Sequence, residues 1–401
     1  MINVLVTDGE GRSTLAVTRS LGKKGCRVVV TGKDLPNLSS SSRYCEKAYQ
    51  TPDPFHAGKD YSSAIAEIVA KEDIQILIPM TEQSIYLLNP LSEDLLPCII
   101  ACPTAEKMSL ISDKVSLFKR AEDIGVAIPK TLYLNGPDDL AARVREIDCY
   151  PVVVKPALSR IQTKKGFISG GVNYAYSQDE LENLYATKEA LCFPSMIQER
   201  IIGEGTGLFT LYDTNHHLAL FSHRRLREKP PAGGVSVVCE SVPLDADMVE
   251  ASHKLLSSVG WTGVAMVEFK RDVRDGKAKL MEINGRFWGS LQLAITCDVD
   301  FPALLLDQLQ QKLELQTVGH YRVGHKLKWF YGTLDHLIAR LKYSDETLKL
   351  PPGAPSKWQS VFDFLRTCEK NSSFDVFNWG DIKPFLLESR NYARDAIRAP
   401  Q

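Results

Sequence analysis

The stretch Gly263–Ser290, reading GVAMVEFKRDVRDGKAKLMEINGRFWGS, restricts the fold more than any other part of this chain. Two runs of strand-like alternation, VAMVEFK and KLMEING, flank a polar segment with Asp275-Gly276, a dipeptide suited to a tight hairpin turn. With the turn centred on Asp275, Glu268 and Glu282 are equidistant from it and face each other. Residues opposite one another on paired strands have Cβ atoms about 4.5–5.5 Å apart. Two carboxylates at that spacing repel unless a cation lies between them. Asn284 and Arg286 continue the same face at period two, adding a neutral oxygen donor and a fixed positive charge. Hard oxygen ligands beside a guanidinium suit Mg²⁺ carrying phosphate. A wet surface hairpin is the simpler reading. Phe287, Trp288 and Gly289 follow directly, however, and an apolar cluster there suits the wall of a cleft.

At 401 residues the chain is long enough for two or three domains. Hydrophobic content of 44% and charged content of 24% are those of a soluble globular protein. A formal net charge of −1 supplies no global field for nucleic acid or an anionic membrane. The amino terminus, MINVLVTDGEGR, has no basic leader, and no stretch is long enough to span a bilayer. Nine scattered cysteines read as buried or free thiols, which makes a reducing cytoplasm the expected compartment.

Taken in order, Ile2–Thr7 is an apolar run ending in DGEGR, followed by helical spacing and a second β-branched run at Cys26–Thr31. This is the β-loop-α-β start of a doubly wound sheet. Gly9 and Gly11 sit where such folds bind nucleotides, but Thr14 stands in place of the third glycine, so a structural role is favoured. A helix at Tyr61–Lys71 and strands at Ile74–Pro79 and Cys98–Ala101 complete an α/β domain over residues 1–105. Thr81, Glu82 and Ser84 follow a strand's carboxyl end, where ligands bind, yet they fit a helix N-cap equally well. A helix entered at Ser112 or Asp113 puts Lys114 in its first turn, the unfavourable end for a cation unless an anion is nearby.

In YPVVVKPALSR, Lys155 interrupts an apolar strand and either snorkels to the surface or meets an anion. Gly170-Gly171 is either a phosphate-covering turn or a plain hairpin turn. QERIIGE (Gln198–Glu204) breaks one apolar run before the next, and His216 and His217 at the following turn read as solvated. Arg224, Arg225 and Arg227 precede a Pro-Gly loop, suiting either an anion clamp or a charged edge strand. Helices are expected at Ala246–Val259, Ala303–Lys312, Thr333–Lys342 and Lys357–Cys368. The last two belong to an appendage over residues 316–401, rich in Trp, that covers an apolar face or makes a dimer contact.

Lys114 in SDK, Lys155 in PVVVKP, Gly170-Gly171, QERIIGE, Glu268 in VEFK and Glu282-x-Asn284-x-Arg286 occur in an order that resembles the ATP-grasp superfamily. That superfamily includes D-alanine–D-alanine ligase, biotin carboxylase and the carbamoyl phosphate synthetase large subunit, and the resemblance covers roughly residues 1–315. It implies an amino-terminal α/β domain (residues 1–105), an α+β ATP-grasp domain of two subdomains (residues 106–315, divided near 195), and the appendage. It also implies site roles. Lys114 and Lys155 would meet the α- and β-phosphates, and Gly170-Gly171 would cover the β- and γ-phosphates. The backbone of Glu199, Arg200, Ile201 and Ile202 would read adenine, with Glu204 on the ribose, although the hinge is shorter than in D-alanine–D-alanine ligase. Glu268, Glu282 and Asn284 would hold Mg²⁺ (or Mn²⁺), and Arg225 and Arg286 would steady the transferring phosphoryl group and the acyl substrate.

No Ser-His-Asp or Cys-His set accompanies these residues, so covalent protein catalysis is not expected. The expected activity is that of an ATP-dependent ligase acting on a small carboxylate and an amine or thiol, through an acyl phosphate. Two alternatives stand beside it: carbamoyl-phosphate-type phosphorylation of bicarbonate or carbamate, and an ATP-binding protein that does not ligate.

Overall fold

The apolar runs near the amino terminus form β1 (Asn3–Val6), β2 (Arg27–Gly32) with α1 (Arg12–Lys23) between them, and β3 (Lys47–Gln50). α2 (Gly58–Lys71), β4 (Ile76–Ile78), α3 (Glu82–Leu88) and β5 (Ile99–Ile100) follow. The five strands are all parallel, in the order β3-β2-β1-β4-β5. Val4, Leu5, Val6, Val28, Val29 and Val30 are fully buried, as strands covered on both faces require. This computed structural model describes residues 1–163, 166–213, 215–231, 233–312, 319–350, 353–366 and 369–398. The Gly9 loop has the structural role expected of it. A Cβ on Gly9 would stand 2.5 Å from Asn37 Oδ1, because the Asn37 side chain packs directly on the loop.

α4 (Ala105–Ser112) and α5 (Lys114–Asp123) lead into a second, antiparallel sheet. Asp113 starts α5 by accepting a hydrogen bond from Ser116 N at 2.9 Å, and Gly125 with φ 72° lies just past its end. The sheet comprises β6 (Thr131–Leu134), then after α6 (Pro137–Arg143), β7 (Val152–Pro156). A separate two-stranded ribbon, β8 (Arg160–Thr163) with β9 (Gly166–Ser169), follows. β10 (Asn173–Ala175), α7 (Gln178–Thr187) and β11 (Ser195–Glu199) complete the order β10-β7-β11-β6. β11 pairs with strands on both sides, so the change to the next sheet falls after Glu199, a few residues later than the sequence placed it.

The third sheet carries the site. β12 (Gly203–Asp213), β13 (His216–Lys229) and β14 (Val235–Ser241) precede α8 (Ala246–Ser258), β15 (Thr262–Asp272) and β16 (Ala278–Asn284). One face buries Leu208, Leu220, Val267, Phe269 and Leu280 with residues of α4, α5 and α8. The opposite face buries Phe209, Phe221 and Met266 against α9 (Leu291–Thr296) and α10 (Phe301–Leu309), and through them against α1 and the first sheet. His217 is not simply solvated at the hairpin tip. Its Nδ1 lies 2.8 Å from Thr210 Oγ1, and burial lowers its pKa to about 4.

The expected boundary at 315–316 lies outside the described residues, as does Cys368. β17 (Lys326–Lys328) nevertheless pairs with β14, extending the large sheet beyond what the sequence suggested. After α11 (Phe330–Lys342) and α12 (Lys357–Leu365), β18 (Ser372–Phe374) pairs with β17, and α13 (Lys383–Arg398) ends the described chain. The sheet order is β16-β15-β12-β13-β14-β17-β18. No helix among the described residues is long and apolar enough to cross a membrane.

One buried ion pair ties the carboxyl-terminal segment to the first domain. Arg19 on α1 donates to Asp381 Oδ2 at 2.9 Å and to the carbonyls of Val376 and Asp381 at 2.9 and 3.0 Å. Both side chains are almost wholly buried, at 4% and 2% exposure. Removing one member of such a pair leaves the other charged and unpaired, at a cost of about 3 kcal/mol or more. Arg19→Ala should therefore lower unfolding free energy by about that much in urea titrations. A loss below about 1 kcal/mol would place this contact among the weak surface pairs.

Candidate active site

Glu268 and Glu282 face each other, but by a route the turn alone does not provide. Next to the turn, Arg271 faces Ala278, Lys270 faces Lys279 and Phe269 faces Leu280. Continued unchanged, that register would set Glu268 against Met281. A β-bulge intervenes, and beyond it Glu268 pairs with Glu282 and Met266 with Asn284.

The same row continues across the sheet. Gly207 of β12 lies opposite Glu268, and His223 of β13 lies opposite Gly207. Gly205 shares that face at period two. A Cβ on Gly205 would come within 3.6 Å of Arg225 Cδ, so the bare strand leaves room for the arginine. Arg225 lies across β12, pairs with Glu268 two strands away, and donates to Glu228 at 2.9 Å. Adjacent strands are about 4.8 Å apart, so this reach is roughly 10 Å over a strand with no side chains in the way.

Two lysines complete the cluster. Lys155 on β7 is buried, and burial lowers its pKa to about 8 against the opposing pull of Glu282. Lys114, also buried, donates to Ser159 Oγ at 2.6 Å. Burial pushes the Glu268 carboxyl up to about 7; Arg225 opposes that rise and Glu282 adds to it. Burial acts on Glu282 in the same direction. Lys114, the Asn284 amide, Lys155 and Arg225 outweigh it there, so Glu282 lies below its ordinary value. Asn284 Nδ2 donates to Glu282 Oε1 at 2.8 Å, and Arg286 Nη2 donates to Asn284 Oδ1 at 3.4 Å.

These groups line a cleft of about 600 Å³ between the four-stranded and seven-stranded sheets. Pro129, Val153, Tyr174 and Gln198–Ile201 wall one end, while Arg12, His223 and Ser290 wall another part. Among the described residues there is no cluster of three or more His, Cys, Asp or Glu suited to a metal. Two facing carboxylates and an amide oxygen do fit a divalent cation that takes its remaining ligands from a phosphate-bearing substrate. Lysines and arginines around that position suit a polyanion.

Four of the expected residues do not line the cleft: Gly170, Gly171, Ile202 and Glu204. Strand alternation turns Glu204 to the opposite face from Gly205, where it accepts from Arg224 at 3.2 Å. Ile202 is 46% exposed, and its carbonyl accepts from Val273 N at 3.1 Å. Gly170 and Gly171 are not a hairpin turn, because β9 pairs with β8 while β10 pairs with β7. A Cβ on Gly170 would stand 2.3 Å from Leu158 O, so this glycine serves close packing at the ribbon's base. Glu199 and Arg200 do line the cleft, yet the Glu199 carboxylate accepts from Lys130 N and pairs with Arg274.

Of two further residues at the site, Glu82 stood in a segment read equally as a ligand position or a helix N-cap, and His223 was not singled out. Thr81 caps α3 as its N-cap reading required, while the Glu82 carboxylate lies in a crevice with Lys114, Glu282 and Arg286. Its position at the carboxyl end of a parallel strand was the available signal. His223 Nε2 shares a hydrogen bond with Ser290 Oγ at 2.7 Å, and its ring lies tilted against Phe209 with centroids 4.5 Å apart. No local pattern marks it.

Residues 221–332 match the family described as ATP-grasp in the biosynthetic pathway with Ter operon. No curated protein matches the sequence. Among solved structures, N5-carboxyaminoimidazole synthetase from Staphylococcus aureus is similar at 15% identity and TM-score 0.62, covering 81% of this chain and 80% of that one. L-amino acid ligase from Bacillus licheniformis is similar at 16% identity and TM-score 0.62, covering 81% and 78%. Biotin carboxylase from Campylobacter jejuni gives 15% identity and TM-score 0.64, covering 81% and 74%. The amino-terminal parallel sheet and the two sheets enclosing the cleft agree with these structural matches on an ATP-grasp fold, and residues 221–332 carry the match to an ATP-grasp family.

Proposed function

We propose that this chain is an ATP-dependent ligase that phosphorylates a carboxylate and joins the resulting acyl phosphate to an amine or thiol. The observation that carries this reading is the facing pair Glu268–Glu282, with Lys114, Lys155, Arg225 and Arg286 around one cleft. Similar folds support it. The S. aureus N5-carboxyaminoimidazole synthetase, with TM-score 0.60 and 14% identity in this form, binds ADP, and the B. licheniformis protein is an L-amino acid ligase.

In this reading the apolar walls Val153 and Ile201, with the backbone of Glu199–Ile201, receive adenine. Lys114 and Lys155 bind the phosphates. Mg²⁺ or Mn²⁺, held by Glu268, Glu282 and Asn284, would offset charge on the β- and γ-phosphates. Arg225 and Arg286 steady the phosphoryl group as it moves to the acceptor oxygen. Phosphoryl transfer asks chiefly for positioning and charge stabilisation, which a cluster of fixed cations around one cleft supplies.

The reaction is tested by following oxygen. An acid that raises ADP release is prepared with ¹⁸O in its carboxyl group. Attack on the γ-phosphorus makes one carboxyl oxygen the bridge, and displacement by the nucleophile leaves that oxygen on inorganic phosphate. One labelled oxygen in phosphate, together with a condensed product, is the expected result. Labelled bicarbonate as the sole productive donor would favour the carbamoyl-phosphate-type reaction, and unlabelled phosphate from every acid would mean that water attacks ATP.

Two substitutions probe the cluster. Glu282→Gln keeps the side-chain shape but removes a charge facing both lysines, and should reduce turnover by roughly 100-fold or more. Thermal melting should show the variant folded, and wild-type ADP release from it would remove the hairpin from the reaction. Gly205→Val introduces branches where Arg225 crosses β12. Turnover should fall about tenfold or more while the sheet remains paired, and unchanged turnover would show that Arg225 need not lie there.

A further inference from the structure

Arg12, the first residue of α1, projects from the amino-terminal domain into the same cleft. Its guanidinium carbon lies 4.1 Å above the Trp329 ring centroid, and its Nη1 pairs with Asp375. Asp375 is itself 2% exposed and Arg12 13% exposed, so the guanidinium is held on one face and one edge by the carboxyl-terminal segment. The Nη2 end lies 3.6 Å from where a Cβ on Gly289 would stand, directly before Ser290. Among the described residues, Nε and Nη2 donate to no hydrogen-bond partner. A guanidinium fixed in this way presents a pre-oriented, unused pair of donors, the geometry that receives a carboxylate or phosphate bidentately.

The other arginines of the cleft are differently engaged, Arg200 donating to the Tyr176 hydroxyl and to Lys349 O, each at 3.3 Å. Arg225 is committed to Glu268 and Glu228, and Arg286 donates to Phe287 O and Asn284 Oδ1. Both lie beside the carboxylate pair, where the phosphoryl group transfers in the ligase reading. Arg12 belongs to a different domain, beside Gly289, and lines the cleft together with the neutral polar groups Ser290 and His223.

We propose that Arg12 binds a second anionic group of the acyl donor, distinct from the carboxylate that is phosphorylated. The donor class is then an acid that also carries another carboxylate or a phosphate. This rests on the ligase reading above. It gives the carboxyl-terminal segment a part in substrate selection, because Trp329 and Asp375 position the guanidinium.

The test uses the full chain with Mg-ATP and a panel of acids arranged in pairs, such as glutarate with pentanoate and aspartate with alanine, each with a mixed supply of amines and thiols. ADP release should be stimulated by the doubly anionic member of a pair. For that acid, Arg12→Gln should raise KM about 10- to 100-fold, the loss expected for a charged hydrogen-bonded contact. KM for Mg-ATP and kcat should stay within about twofold, and Arg12→Lys should recover part of the acid affinity. Thermal melting identifies a variant that fails to fold, in which case Arg12→Lys carries the same comparison. An unchanged KM for the acid in a folded variant overturns the proposal, as does equal stimulation by monoacids. A fall in kcat alone would put Arg12 on the phosphoryl group, and a raised KM for the amine or thiol would put it on the nucleophile; either result also overturns it. If no acid stimulates ADP release from the wild-type chain, the ligase reading itself fails.

Discussion

Two carboxylates set face to face in a partly buried position govern the arrangement around them. Unit charges about 5 Å apart repel by roughly 3 kcal/mol at an effective dielectric near 20. Glu268 and Glu282 are in this relation, and the cations that counter it come from separate parts of the chain. Lys155 stands on the small antiparallel sheet, Lys114 at the start of a helix, and Arg225 two strands away on the large sheet. No single segment could supply that compensation. The cluster therefore depends on the two sheets closing toward one another, and under the proposed function the cleft between them would offer complementary charge to a polyanion and a divalent cation.

The large sheet meets this demand through what it omits. Gly205 and Gly207 remove side chains from one face of β12, and Arg225 uses the space to reach Glu268. The alternation that keeps the glycines toward the cleft turns Glu204 away from it. On the far face the same strands are ordinary core, with Leu208, Val267 and Phe269 fully buried. One strand thus serves both as floor of the site and as part of the hydrophobic interior.

The carboxyl-terminal segment is fastened to the first domain by buried charge rather than by a large apolar interface alone. Arg19 with Asp381, and Arg12 with Asp375, both start from α1. Because α1 follows the loop at the carboxyl end of β1, these pairs also set the position of groups that face the cleft. Exposed apolar side chains remain on α12, where Trp358, Phe362 and Leu365 share one helical face.

Local signals were sufficient for much of this. Alternation around Asp275-Gly276 made the hairpin legible, β-branched runs separated by helical spacing made the parallel domain legible, and Asp113 and Gly125 marked a helix at both ends. The facing of Glu268 and Glu282 followed from symmetry about the turn, although a bulge near Met281 was what restored that symmetry. Other outcomes lay beyond local pattern. Which face Glu204 takes depends on the pairing register of β12, and the role of Gly170 depends on the backbone at Leu158. The partners of Arg12 are more than three hundred positions away in sequence, so no periodicity could announce them. The sequence by itself determined the first parallel strands, the central hairpin and the ends of helices such as the one between Asp113 and Gly125, because turn chemistry, caps and alternation act over a few residues. Only the tertiary structure decided which charges neutralise one another, because burial and charge pairing are set by what the fold brings within a few ångströms.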